Sequence, residues 1–357
     1  MALKIEALID TDALRHNLGR VRALAPRSRV LAVVKADAYG HGVRTVLPAL
    51  TQADALAVAH IDEALEIRRW SAQPLVVLEG FLDTEEWRSC LEQTLTPVLH
   101  QPEQLGIIER HPPPPGFSVW IKLDTGMHRL GFDPAELQGV LARLRAAQPA
   151  LDFVLMTHFS RAEDTAHAST PEQIARFDAA TGPLTLPASL ANSAGITFWP
   201  QSRREWVRPG LMLYGVSPPG SELDLQPVMT LRSRVIAVRR VTAGEGVGYG
   251  GRWRAPRDTV VATVSAGYAD GYPAQVPDGT PVLVRGKVAY VAGRPSMDMI
   301  GVDLGPQTDV EPGDEAILWG PSLPVQDIAR AAGFLPYQLL TGVSKRVTRS
   351  SRPDRAA

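Results

Sequence analysis

The stretch Val30-Leu31-Ala32-Val33-Val34-Lys35 decides how the first part of the chain folds. Five consecutive apolar residues suit a short strand that is buried on both faces. Seven further apolar runs follow, at residues 55–59, 75–78, 95–99, 117–123, 153–156, 184–190 and 206–214, with helix-like segments between them at 62–70, 85–93, 134–147 and 171–180. Eight such units in roughly 210 residues predict a (β/α)8 TIM-like barrel, and an open doubly wound sheet is the alternative.

The pattern changes near Gly220. Strand-sized apolar runs now alternate with Gly, Pro and Asp, at residues 235–241, 260–264, 282–284 and 316–319. This pattern is typical of a mainly antiparallel β domain. We therefore predict a barrel domain over residues 1–220 and a β domain over residues 221–357. The first strand, near residues 4–10, could join the second domain.

Composition excludes several classes of protein. The 357 residues carry 37 Lys and Arg against 38 Asp and Glu, a net charge of −1, which disfavours a nucleic-acid or polyanion binder. No apolar stretch approaches a membrane span, and the N-terminus lacks a basic region followed by an apolar core. The single cysteine, Cys90, cannot form an internal disulfide and lies in a helix-like segment that favours a packing role. These features predict a cytoplasmic protein.

In a barrel, functional residues collect at the C-terminal ends of the strands. The first run ends in Lys35, which could extend its ammonium group to the rim or form a Schiff base with a carbonyl compound. Tyr39, four residues on, could donate to a phosphate or merely pack. Lys122 and Asp124 end the fifth run, and a buried ion pair would explain both. Arg129 follows in a loop, and its planar fork suits a phenolate or a carboxylate.

Three later runs also end in polar residues. His158 follows the sixth run and could be a satisfied core histidine. Asn192 and Ser193 suit either a helix N-cap or a phosphate cradle, and Arg208 ends the eighth run. Together this rim suits a phosphorylated, aromatic, aldehyde-bearing cofactor. No HExxH, CxxC, Walker or GxSxG motif competes with it, so no metal site is predicted.

Four motifs carry a resemblance to a known family. They are VVKADAYGHG at 33–42, KLDTGMHRLG at 122–131, GYADGYP at 267–273 and GRPSMD at 293–298. In this order, from about residue 4 to residue 347, the chain resembles the alanine racemases. The resemblance implies pyridoxal phosphate as cofactor, alanine as substrate, an N-terminal barrel with a C-terminal β domain, and a head-to-tail homodimer with shared active sites. The one visible departure is Pro295, where many relatives carry another apolar residue.

The resemblance also implies catalytic roles. Lys35 resembles the Schiff-base lysine that is also the base for the D-enantiomer, and Tyr268 the partner subunit's base for the L-enantiomer. Arg129 is similar to the arginine at the cofactor's phenolic oxygen and near the substrate. Lys122 is similar to a lysine that is often carbamylated, which would let it orient Arg129, although Asp124 could partly do the same.

The remaining implied roles concern binding. Arg208 resembles the arginine that faces the pyridine nitrogen, with His158 behind it, and Met297 a partner-chain residue near the substrate carboxylate. The phosphate would be held by Tyr39, Ser193, Tyr337 and the backbone of Gly210 and Leu211. Asn192 is also expected among the cofactor-binding residues.

The chemistry explains this set of residues. Racemisation needs a base on each face of a planar intermediate, and an arginine too basic to protonate the ring nitrogen would suppress side reactions. The alternatives are a racemase of broader specificity or for serine, a basic-amino-acid decarboxylase of the same architecture, and a non-catalytic carrier of the cofactor. The decarboxylases usually place a cysteine in the β domain, where this chain has none. A supply of D-alanine for peptidoglycan and its degradation both stay open.

Overall fold

Eight parallel strands form the first structural unit. The computed structural model describes residues 5–351, and the predicted barrel is confirmed there as a closed ring. Its strands are β2 (Arg29–Val33), β3 (Ala55–Val58), β4 (Leu75–Val77), β5 (Leu95–Leu99), β6 (Ser118–Lys122), β7 (Asp152–Met156), β8 (Ala188–Ser189) and β9 (Trp206–Val207). The ring closes where Arg29 pairs with Trp206 and Val30 with Val207. Apolar side chains on both faces of these strands explain the continuous apolar runs.

Helices surround the ring. They are Thr11–Leu24, Val43–Val46, Ile61–Arg68, Thr84–Glu92, Pro102–Arg110, Leu137–Ala147, Ser169–Thr181 and Ser193–Phe198, with short 3-10 turns at Leu47–Ala49, Pro134–Glu136, Pro200–Ser202 and Leu211–Tyr214. Aspartates cap two of them: Asp10 accepts from the backbone N–H of Ala13 and Asp83 from that of Glu86. No helix in the described part of the chain is long and apolar enough to cross a membrane.

Two of the predicted strands are much shorter than their apolar runs. The run at 184–190 contributes only Ala188–Ser189, and the run at 206–214 only Trp206–Val207. Proline explains both differences because it has no backbone N–H to donate to a ladder. Pro187 and Pro209 each contribute only a carbonyl, which accepts from a neighbouring strand.

The second structural unit is a mainly antiparallel sheet, as predicted. Its strands are β1 (Ile5–Ile9), β10 (Met229–Val241), β13 (Thr259–Val264), β14 (Pro281–Val284), β15 (Lys287–Val291), β16 (Ile300–Gly305), β17 (Glu315–Trp319) and β18 (Thr348–Ser351). Their order is β13-β16-β15-β14-β17-β10-β1-β18, with β13 also paired to β10. A small hairpin joins β11 (Gly246–Val247) to β12 (Trp253–Arg254), 3-10 turns form at Tyr249–Gly251 and Tyr268–Asp270, and two helices, Val325–Ala332 and Pro336–Gly342, complete the unit.

The N-terminal strand lies in this sheet. β1 pairs antiparallel with β10 and parallel with β18. The chain therefore begins its described part in the β domain, enters the barrel through the helix Thr11–Leu24, and returns at β10. Both ends of the barrel are thus tied to the same sheet.

Candidate active site

A cavity of about 1110 Å³ opens where the barrel strands end. Its walls come from both structural units, because the Pro336–Gly342 helix and the residues before it face the barrel rim. Eleven of the residues proposed from the sequence line it: Lys35, Tyr39, Lys122, Arg129, His158, Asn192, Ser193, Arg208, Gly210, Leu211 and Tyr337. Tyr268 and Met297 do not.

Lys35 begins a left-handed turn. The next four residues, Ala36–Tyr39, all have φ between +52° and +55°. This conformation costs roughly 1–2 kcal/mol for each residue other than glycine, so the surrounding contacts must hold it. The buried His41 donates its Nδ1 proton to the carbonyls of Ala38 and Tyr39, and Asp37 accepts from the N–H of Val43. Burial lowers the pKa of His41 to about 4, so the ring is neutral at physiological pH.

Tyr39 packs tightly against Gly210. A Cβ at Gly210 would lie 2.5 Å from the Tyr39 hydroxyl, so any side chain at this position would force the Tyr39 ring to move. The Tyr39 ring lies 4.9 Å from that of Tyr214 and 5.9 Å from that of Tyr337, and burial raises the pKa of Tyr39. The hydroxyl is therefore protonated at physiological pH and can donate to an anion.

Asn192 and Ser193 have separate tasks. Asn192 is an N-cap: its Oδ1 accepts from the N–H of Gly195 at 2.9 Å. The hydroxyl of Ser193 accepts from the N–H of Gly210 at 3.1 Å. Both sequence interpretations of the pair thus have a structural counterpart, with the cap on Asn192 and the cavity-facing hydroxyl on Ser193.

Arg208 is buried without a carboxylate partner among the described residues. Its guanidinium donates to the Ser189 hydroxyl at 2.7 Å and to the carbonyls of Thr157 and Leu190 at 2.7 and 3.1 Å. His158 Nδ1 lies 3.3 Å from Nη2 of Arg208. Burial lowers the pKa of Arg208 to about 10, which still leaves it charged at neutral pH. Burial and the nearby Arg208 hold the pKa of His158 well below its usual range.

A buried ion pair was one interpretation of Lys122 and Asp124, and the two side chains form none within the described residues. Asp124 Oδ1 instead accepts from the backbone N–H groups of residues 126, 127 and 128, because the loop after β6 turns sharply and needs acceptors there. Lys122 is only 6% exposed. Burial, with Arg129 and Arg208 nearby, lowers its pKa to about 8.

The cations at the strand ends favour an anionic ligand there, since the carboxylates that also line the cavity, Glu79, Glu163 and Asp327, pair with none of them among the described residues. Lys35, Lys122, Arg129 and Arg208 all line it, and within the described residues none of the four forms an ion pair with a carboxylate. Uncompensated cations in a partly buried cavity are costly, and a bound anion would relieve this cost. Residues 5–351 contain no group of three His, Cys, Asp or Glu side chains that could hold a metal ion.

Tyr268 and Met297 lie on neighbouring loops of the β domain, outside this cavity. They are 47% and 53% exposed, and the N–H of Ala269 donates to the carbonyl of Met297 at 3.0 Å. Arg346 holds the two loops together, because its Nε lies 2.9 Å from the buried Asp270 carboxylate and its Nη2 donates to Asp298 at 2.7 Å.

Two contributors were not assigned from the sequence. His41, which stabilises the left-handed turn, lies in a quoted motif but received no role, and Tyr214, whose ring stacks on His41 at 4.5 Å, lies in an apolar run. Tyr214 donates to the carbonyl of Val33, the last residue of β2 and two residues before Lys35. The sequence signal for Tyr214 was weak: a tyrosine, whose hydroxyl can form a hydrogen bond, within a mainly apolar run, and such tyrosines are common in protein cores.

Comparison with known proteins agrees with this geometry. Models of the alanine racemase N-terminal and C-terminal domains match residues 9–218 and 228–351. The alanine racemase of Aeromonas hydrophila is 47% identical over 96% of this chain and 97% of its own length. Among solved structures, the biosynthetic alanine racemase of Pseudomonas aeruginosa has a TM-score of 0.92 at 42% identity, covering 98% of this chain and 100% of its own.

A third relative is informative about a ligand. The structure of the Bartonella henselae alanine racemase, with covalently bound pyridoxal phosphate, has a TM-score of 0.90 at 30% identity, covering 98% of this chain and all of that one. Family models that span both structural units, relatives matched over nearly their full length and a shared fold lead to one conclusion: the chain belongs to the alanine racemase family.

Proposed function

We propose that this protein is an alanine racemase, an isomerase that interconverts L-alanine and D-alanine with pyridoxal phosphate as cofactor. The observation that carries the proposal is the cavity in which Lys35 shares one rim with three more cationic side chains that have no described carboxylate partner. The cofactor brings a phosphate and a phenolic oxygen, which are the anions that such a rim would bind.

The residues present fit the cofactor. Its phosphate would lie among Tyr39, Ser193, Tyr337 and the backbone of Gly210 and Leu211, with Asn192 as a further cofactor-binding residue. Tyr39 fits because it is a buried hydroxyl with a raised pKa, and Gly210 because a side chain there would fill the space beside that hydroxyl. Arg129 would bind the phenolic oxygen and Arg208 would face the pyridine nitrogen. When bound, the cofactor withdraws electrons from the substrate and makes the α-proton acidic.

Two residues of the chain would move that proton. In this proposal Lys35 gives and takes it at Nζ on one face of the substrate, and Tyr268 does so at its hydroxyl on the other face. Tyr268 does not line the cavity of its own chain and is half exposed on the β domain. We therefore propose a homodimer with shared sites, in which Tyr268 and Met297 of the partner subunit complete each cavity.

In this proposal Arg208 faces the pyridine nitrogen but does not act as a proton donor to it. With a pKa of about 10 it keeps its proton at neutral pH, and four polar atoms fix its guanidinium. It therefore would not protonate the ring nitrogen, which limits electron withdrawal and suppresses side reactions such as transamination.

The other activities considered have less support. A decarboxylase cysteine is not available at the cavity, because Cys90 is buried in the helix Thr84–Glu92, where burial raises its thiol pKa to about 12. A broader racemase or a serine racemase remains the second candidate, and an amino-acid panel with chiral product analysis tests it. A supply of D-alanine for peptidoglycan, its degradation, and a cytoplasmic location remain predictions from the sequence.

The shared site is tested by mixing two inactive variants. Lys35→Ala and Tyr268→Ala are prepared separately and mixed under conditions that exchange subunits. Random exchange makes about half of the dimers mixed, and each mixed dimer has one site with both native residues, so about a quarter of wild-type activity should return at equal total protein. If both residues came from one chain, no activity would return. Native mass spectrometry confirms that mixed dimers have formed.

A further inference from the structure

The strained segment after Lys35 has a side-chain anchor that is not part of the cavity. This anchor is Glu63, the third residue of the helix Ile61–Arg68. One of its oxygens, Oε1, accepts from the N–H of Ala36 at 2.6 Å. The other, Oε2, accepts from the N–H of Ala59 at 2.8 Å and from that of His60 at 3.3 Å.

Helix capping explains only half of this arrangement. A glutamate at the third helical position commonly accepts from the N–H of the residue before the helix, as Glu63 does from His60. The bond to Ala36 joins a residue 27 positions away in a different strand–helix unit. It holds the peptide that directly follows Lys35, so the carboxylate ties the end of β2 to the end of β3.

Other contacts support the turn at later points. Asp37 and His41 hold the middle and the end of the turn, and Arg349 donates from Nε to the carbonyl of Gly40 at 3.0 Å. Among the side-chain contacts to the turn within residues 5–351, the one from Glu63 is nearest to Lys35. A left-handed run of residues other than glycine relaxes when its anchors are removed, and the direction in which Lys35 leaves the barrel would change with it.

We propose that Glu63 is a positioning residue for Lys35: its two carboxylate oxygens bridge Ala36 to the end of β3 and set the direction of the lysine side chain. This inference rests on the proposed function, in which Lys35 is the base for the D-enantiomer. The bridge needs both oxygens as acceptors. A glutamine has one acceptor and one donor, so Glu63→Gln breaks the bridge whichever way its amide turns.

The chain offers a matched control. Glu136 also closes a capping box, where its Oε2 accepts from the N–H of Asp133 at 3.1 Å, and like Glu63 it does not line the cavity. Glu63→Gln and Glu136→Gln therefore make the same chemical change in the same kind of cap. Only the first also breaks a contact to the segment after Lys35.

Hydrogen exchange followed by mass spectrometry gives a readout that does not need the cofactor. In Glu63→Gln, amide exchange in the peptides covering residues 35–42 or 57–63 should rise about tenfold over wild type, because one end of the bridge loses its acceptor. In Glu136→Gln these peptides should exchange as in wild type. Unchanged exchange in Glu63→Gln would overturn the proposal.

Isotope effects on the holoenzyme then separate positioning from stability. A misplaced Lys35 slows proton transfer on its own face, so kcat should fall about tenfold with KM nearly constant. The primary isotope effect with α-deuterated D-alanine should rise, while that with α-deuterated L-alanine should not. A purely structural role would leave both isotope effects at their wild-type values, and that result also overturns the inference. Failure of the proposed function is distinct, because wild type itself would then not racemise alanine.

A second variant keeps the test decisive if Glu63→Gln folds poorly. Glu63→Asp keeps the charge but shortens the side chain by one methylene group, so it cannot span the same three N–H groups. It should show the same asymmetric change in isotope effects. Wild-type isotope effects with both enantiomers in this variant would count against the proposal.

Discussion

Lys122 should react with carbon dioxide, and its environment sets how readily. Only the neutral amine forms a carbamate. With its pKa lowered from 10.5 to about 8, roughly a quarter of Lys122 is neutral at about pH 7.5, against roughly one part in a thousand for an ordinary lysine. The reactive fraction is therefore about 200-fold larger. The carbamate would be an anion between Arg129 and Arg208, the cations that help to lower the pKa of the amine.

The same pKa fixes the sign of a stability effect. Below about pH 8 Lys122 is mostly protonated in the folded and unfolded chains, and its burial together with Arg129 and Arg208 then costs about 3 kcal/mol. Between about pH 8 and 10.5 the unfolded chain binds more protons, so the free energy of unfolding should rise with pH in this window. Without carbon dioxide, Lys122→Met should therefore be more stable than wild type at neutral pH by up to about 3 kcal/mol.

Bicarbonate should stabilise the wild-type protein but not Lys122→Met. Wild type should gain thermal stability in bicarbonate relative to chloride of equal ionic strength, and Lys122→Met should gain none. The carbamate itself is observed by carbon-13 NMR after addition of labelled bicarbonate. The control is Lys287→Met, which removes a lysine that is 77% exposed and paired with Asp309. A bicarbonate effect that persists in Lys122→Met, or no carbamate signal in wild type, would refute the reasoning.

Four further predictions follow from named contacts. Borohydride reduction of the protein with pyridoxal phosphate should attach the cofactor to the peptide that contains Lys35; labelling at Lys122 or Lys287 would contradict the assignment. Gly210→Ala should weaken cofactor binding about tenfold in a fluorescence titration, because its Cβ would displace Tyr39, whereas Gly139→Ala, with no atom within 4 Å of its Cβ, should leave affinity unchanged. Arg208→Glu should change the absorption spectrum of the bound cofactor, because a carboxylate there favours protonation of the ring nitrogen; full activity with an unaltered spectrum would exclude the proposed role. Arg346→Met should lower the free energy of unfolding by about 1–3 kcal/mol in urea, because the carboxylate of Asp270 is buried, whereas Arg330→Met, which breaks an exposed pair, should cost less than about 0.5 kcal/mol.

The barrel could be predicted from the sequence because a strand that is buried on both faces appears there as a continuous apolar run. A strand inside a barrel has no solvent-facing side, so β3 and β4 are unbroken apolar runs. The apolar runs overestimated the lengths of β8 and β9, because they include prolines, which have no N–H to donate to a neighbouring strand. A domain boundary near residue 220 stays a prediction, although the two family models end and begin on either side of it.

The site was predictable in part for a different reason. Lys35 and Lys122 could be found because a charged residue at the end of an apolar strand is conspicuous. The hydrogen bonds of Asp124 could not be predicted, because the backbone N–H groups that need an acceptor depend on how the following loop turns. The left-handed turn had no local signal either, since Ala36–Tyr39 contains none of the glycines that usually mark positive φ. Its conformation is imposed by Glu63, His41 and Arg349, which are distant in sequence or follow the turn.

The barrel itself explains why a second chain is needed in the proposed mechanism. Side chains at the strand ends approach a bound molecule from the same end of the ring, so they reach one of its faces. A racemase needs proton transfer on both faces. The second base must then come from outside the barrel, and Tyr268 lies on a domain whose loop is exposed and tied by Arg346 to the loop of Met297. In this proposal Tyr268 moves a proton, yet it is half exposed in its own chain, and a partner's cavity would supply the burial that it lacks.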